Sequence, residues 1–182
     1  MWYLIIGIIV IAISLFVFLD AKGQKEEGVV INGVKWATRN VGSRGRFVAK
    51  PEDYGNYYTY KEAKEACPKG YRLPTAEEIK KLAHTGQPRM KNGVKGYEFG
   101  QGENTIFLPS ADSYIYMEYL GWRKLSEGLG CYLSSDWIGS FDTRLSVLAF
   151  GGRNYRASLE VGASVSAGHL DSCRYVLRCV AK

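Results

Sequence analysis

Two histidines, eighteen acidic side chains and four cysteines are the groups in this 182-residue chain best suited to acid–base, nucleophilic or metal chemistry. His169 precedes Asp171 by two positions with serines nearby, but no Gly-x-Ser-x-Gly elbow accompanies them, so a hydrolase triad is not expected. Glu77-Glu78 and Glu52-Asp53 are carboxylate pairs of the kind that serve as acid and base in glycoside hydrolysis. The first pair opens a helix, where carboxylates meet the positive end of the dipole, and the second falls in a charged loop. Both are read as structural, as is His84 at the end of the same helix. Gly100-Gln-Gly102 lacks the strand–loop–helix setting of a phosphate loop and is read as a turn. No catalysis and no cofactor are expected.

Cys67, Cys131, Cys173 and Cys179 include no Cys-x-x-Cys pair, which argues against zinc, and their even number suits disulfides. Four cysteines allow three pairings. The nested one, Cys67–Cys179 with Cys131–Cys173, would tie the first helix to the last strand and clamp an outer loop. Binding chemistry is carried by aromatics instead. Tyr114, Tyr116, Tyr119, Trp122, Trp137 and Tyr155 fall in or beside loops, where such side chains offer rigid area with a polar tip. Trp137 reads equally as core, and Trp36, in a strand among apolar residues, is assigned there. Arg153 and Arg156 flank Tyr155 and could stack or meet a carboxylate, or simply line a solvated edge. Residues 109–130 with 136–143 and 151–156 are the expected ligand face.

The elements that must position these groups centre on residues 60–82. Ala63, Ala66 and Cys67 give a narrow helix face, and Pro68 with Gly70 ends it. Thr75 and Glu78 form a capping box for a second helix that buries Ile79, Leu82 and Ala83. Asn32-Gly33 and Asn92-Gly93 each predict a hairpin turn. Residues 42–53 and Thr85–Lys91 read as loops, and residues 109–130 show no clear period. Short strands are expected over Val94–Phe99, Thr105–Leu108, Cys131–Leu133, Leu145–Phe150, Tyr155–Val161 and Tyr175–Val180.

Residues 2–19 carry no charge and, as a helix, would reach about 27 Å, close to the hydrocarbon thickness of a bilayer. Residues 1–21 are therefore a signal peptide or a membrane anchor. The long apolar run and Leu19 three positions before a cut after Ala21 speak against cleavage. Lys22 and Lys25 speak against an anchor with its domain outside. The reading leans to cleavage. Either way the domain at 29–182, after a charged linker at 22–28, is exported to the envelope or secreted. Its net charge of +6 is diffuse, so nucleic acid is not an expected partner, and a membrane is expected only through residues 2–19.

The helix–turn–helix stretch Ala63, Cys67, Gly70, Leu73, Glu78, Leu82 resembles C-type-lectin-like domains. More closely, the chain resembles the Fibrobacter succinogenes major paralogous domain of exported Bacteroidetes proteins. The matching segments are Asn32–Gly42, Tyr54–Tyr58, Cys67–Thr75, Ile106–Ser110, Tyr132–Ser135 and Arg178–Val180, in the family's order. The resemblance implies an α+β fold of C-type-lectin-like type, with short, mostly antiparallel strands and two helices, and its usual nested disulfides agree with the pairing above. This chain departs from the family in having Leu133 where an aromatic is frequent. It departs from true lectins in having Gln87-Pro88-Arg89 and no Trp-Asn-Asp, so calcium, which needs six to eight oxygen ligands, is not expected. Formylglycine-generating oxidases share a related fold and use a cysteine pair, but are much longer. The expected function is a non-catalytic, extracytoplasmic module that binds a glycan or protein at the cell surface. The alternative is a structural component of a surface assembly.

Overall fold

Turn chemistry decides where this chain reverses. Asn32 (φ 52°) and Gly33 (φ 80°) both occupy the left-handed region that a two-residue hairpin turn demands, joining β1 (Val29–Ile31) to β2 (Val34–Trp36). Asn92 and Gly93 do the same between β4 (Gln87–Lys91) and β5 (Val94–Gln101). The computed structural model describes residues 28–124, 128–138, 144–151, 158–161 and 172–182; the apolar run at 2–19 lies outside these. Among the described residues no helix is long and apolar enough to cross a membrane.

Two capping boxes start the helices. Thr59 and Glu62 cap α1 (Tyr60–Ala63), and Thr75 and Glu78 cap α2 (Ala76–Ala83). The first helix is shorter than its small-residue face predicts: it ends at Ala63, and a turn delivers Ala66 to the core. The second buries Ile79, Leu82 and Ala83, as its spacing predicts.

Glu78 does more than cap. Arg72 donates to both of its carboxylate oxygens, at 2.8 and 2.6 Å, which holds the carboxyl below its ordinary range despite partial burial. A depressed folded pKa favours the native state while the group is ionised. The gain is therefore complete above the ordinary value of 4.5 and is lost as pH falls through the lower folded value. Glu78→Gln should cost about 1–2 kcal/mol at pH 7. In urea unfolding the gap between variant and native protein should close as pH drops below 4.5; a gap independent of pH would refute the pairing.

The remaining strands are β3 (Tyr71–Arg72), β6 (Asn104–Pro109), β7 (Tyr114–Met117), β8 (Gly121–Lys124), β9 (Leu129–Ile138), β10 (Arg144–Gly151), β11 (Ser158–Val161), β12 (Cys173–Arg174) and β13 (Val180–Ala181). They pair antiparallel in four small sheets, ordered β1-β2-β13-β3, β4-β5-β6, β12-β7-β8 and β11-β10-β9. This is the mostly antiparallel α+β architecture expected, with two short helices.

The β9–β10 pair divides the interior. Tyr132, Leu148 and Phe150 face one cluster with Trp36, Ile79, Leu82 and Leu108. Cys131, Leu133 and Val147 face the other, with Tyr58, Ala63, Leu73 and Leu177. Period-two alternation thus sends successive side chains into opposite cores, so both faces of this pair are buried. A polar network joins the segments around it. Arg178, almost wholly buried, donates to Asn40 Oδ1 at 2.9 Å, Phe107 O at 3.0 Å and Ala37 O at 3.1 Å. Asn40 Nδ2 donates to Tyr54 O and to the Tyr132 hydroxyl, which donates to Pro109 O at 2.8 Å.

Several expectations need correction. Thr85–Lys91 is not wholly loop: residues 87–91 form β4, an edge strand that tolerates Pro88 because its outer N–H positions need no partner. Glu52 is buried, not exposed, and accepts from Asn92 Nδ2 at 2.6 Å. Tyr175–Val180 is not one strand, since only Val180 and Ala181 form β13 while Tyr175 and Val176 make single bridges. Cys67 and Cys179 are bridged, with Cα atoms 6.1 Å apart, but Cys131 and Cys173 stand as two buried thiols rather than the expected second bridge. They enter the second core from different sheets, β9 and β12, beside Tyr175.

Candidate functional site

Residues 109–130, expected to lack regular structure, contain a hairpin. Tyr114 pairs with Lys124, Tyr116 with Trp122 and Met117 with Gly121. The Leu120 N–H donates to Met117 O at 3.0 Å and Gly121 takes φ 67°, which together close a three-residue tip. β12 lies on the other side of β7, with Arg174 opposite Tyr114 and Cys173 opposite Ile115.

Alternation then separates two faces. Ile115 and Cys173 pack on the second core. Tyr114, Tyr116, Trp122, Lys124 and Arg174 share the opposite face. There the Tyr116 and Trp122 rings meet edge to face at 5.5 Å, and the Arg174 guanidinium lies 4.2 Å from the Trp122 ring centre. Tyr114 meets Tyr57 edge to face at 4.9 Å. Burial, and then the nearby Tyr114 and Asp112, push the Tyr57 hydroxyl up to about 12, so it remains a neutral donor at physiological pH. Asp112 anchors the base, accepting from Lys124 Nζ and from the Gly128 N–H, each at 2.8 Å. The tip carries Tyr119 and Leu120, both exposed.

Four of the six expected binding aromatics, Tyr114, Tyr116, Tyr119 and Trp122, are thus brought together on one hairpin. Trp137 is in β9, with its side chain outside the described residues; Arg153 and Tyr155, like His169 and Asp171, also lie outside them. Among the described residues no group of three or more His, Cys, Asp or Glu side chains could hold a metal ion. No family model, curated protein or solved structure matches this chain. The face consists of aromatic rings braced by one guanidinium, with an apolar tip in water.

Arg174 and Tyr57 were missed by the sequence reading. Arg174 is 52 positions from Trp122, and only the β12–β7 pairing brings it over the ring. The aromatic run Tyr54–Tyr60 was the available signal for Tyr57.

Proposed function

We propose that this chain is a non-catalytic, exported module that binds a glycan or protein at the cell envelope through the β7–β8 hairpin. One observation carries the reading. Tyr116 (49 % exposed), Met117 (44 %), Tyr119 (92 %) and Leu120 (57 %) place four large apolar side chains in water within five consecutive positions. Single exposed apolar residues are ordinary, whereas a contiguous group marks an interaction site. Export is supported by the uncharged run at 2–19 and by the Cys67–Cys179 bridge, since such bonds persist in oxidising compartments. The motif from Cys67 to Thr75 and its companion segments support a C-type-lectin-like fold of the Fibrobacter succinogenes major paralogous type. Burial pushes the Cys173 thiol up, the wrong direction for the thiolate that an oxidase would use.

The test is a calcium-free screen of the full chain against glycan arrays and envelope extracts, followed by Tyr119→Ser with Leu120→Ser. The double variant should lose at least about tenfold in affinity for whatever is captured, as expected for central contact residues, with its melting curve unchanged. Undiminished capture would sink the hairpin as the contact. The second reading, a structural part of a surface assembly, is favoured by Met117 and Leu120, which a permanent partner would bury. A chain that sediments as a monomer over a wide concentration range would count against it.

A further inference from the structure

A second concave surface lies at α1, the following turn, edge strand β3 and the start of α2. It encloses about 490 Å³, within the range of small-ligand sites. Its lining is apolar and aromatic at Tyr60, Pro68 and Leu73, which are buried, and at half-buried Tyr71, and it is basic at Lys64, Lys69, Arg72 and Lys182, with Glu65 among them. Glu65 is engaged by Arg44, and Arg72 by Glu78. Among the described residues no carboxylate pairs with Lys64 or Lys69, so the cleft holds two exposed cations without an ion-pair partner. Lys64 Nζ lies 4.8 Å from the Tyr60 ring centre.

The walls are fixed before any ligand arrives. Cys67, in the lining, is bridged to buried Cys179. The Tyr60 hydroxyl donates to Ser135 O at 3.0 Å, the Lys182 N–H to Gly70 O at 3.0 Å and the Ser135 N–H to Pro74 O at 2.8 Å. A preformed site loses little ordering entropy on binding. The edge strand β3 is two residues long and its Tyr71 N–H already donates to Pro68 O, which leaves little ladder for an added peptide strand. Tyr71, half-buried in the lining, offers part of a ring to the apolar face of a sugar, while Tyr60 is buried beneath Lys64; lysines act as point charges for anionic substituents, with no planar fork to match.

We infer that this cleft is a second binding site, separate from the hairpin, that takes an acidic saccharide carrying carboxylate or sulfate groups. Titration of the full chain in detergent with an oligogalacturonate, a heparin oligosaccharide and a neutral maltooligosaccharide tests it. The two acidic sugars distinguish carboxylate from sulfate as the anion. At least one should bind, the neutral sugar should not, and added salt should weaken the complex. Lys64→Glu with Lys69→Glu should weaken it by more than about tenfold, because both exposed cations reverse sign. Tyr119→Ser with Leu120→Ser should leave it unchanged. Three results would overturn the assignment: no binding of either acidic sugar, undiminished affinity in the lysine variant, or equal binding of polyglutamate.

Discussion

Arg178→Ala is expected to lower the unfolding free energy by about 4 kcal/mol or more, a large part of the roughly 5–15 kcal/mol that holds a domain together. The guanidinium satisfies three buried oxygens at once: Asn40 Oδ1, Ala37 O and Phe107 O. Each stranded acceptor costs about 1–3 kcal/mol, and the vacated volume adds to that. Damage should also spread, because Asn40 in turn holds Tyr54 O and the Tyr132 hydroxyl. Arg178→Met fills most of the space without donating, so comparing the two variants in guanidinium unfolding separates lost packing from lost hydrogen bonds. If Arg178→Ala cost less than about 1 kcal/mol, the network would not be the structural centre described here.

Reduction of the Cys67–Cys179 bridge should be comparably severe. It spans 112 positions, for which the chain-entropy account gives about 5 kcal/mol. In a domain of this size that corresponds to a melting temperature lower by about 10–20 °C. Cys67→Ser with Cys179→Ser should reproduce the loss and make it insensitive to reductant. Melting unaffected by reductant would mean that the bridge is absent from the protein in solution. The bridge also fixes Cys67 in the lining of the lysine-bearing cleft, so the same variant should bind acidic sugars less well wherever it still folds.

Legibility from sequence followed the range of the forces involved. Asn32-Gly33, Asn92-Gly93 and the Thr75/Glu78 cap were readable because backbone conformation and nearby hydrogen bonds define them within a few residues. Strand β4 was not, since all five of its residues are exposed and give no alternation to detect. Hairpin β7–β8 was hidden by the opposite problem: Tyr114-Ile-Tyr-Met117 is apolar on both faces because one face packs inward and the other carries the aromatic cluster. Arg178 resembled a solvent-facing charge in an apolar run, and its partners at Ala37, Asn40 and Phe107 are local to nothing in the sequence. Four stretches far apart in sequence, Asn32–Gly42, Ile106–Ser110, Tyr132–Ser135 and Arg178–Val180, each contribute to that network. The hairpin aromatics were legible by residue type, but the guanidinium over Trp122 required the sheet.

The position of β13 bears on when this protein can fold. Val180 pairs with Trp36 on one side and with Arg72 on the other, so the last strand lies between segments made near the start of the domain. Arg178 and Cys179, just before it, complete the buried network and the bridge. Until residues 178–181 emerge, the first sheet lacks an inner strand, the polar network lacks its central donor and Cys67 lacks its partner. Contacts so distant in sequence are slow to form. The nascent chain therefore cannot complete its first sheet, its buried network or its bridge until residues 178–181 have been made.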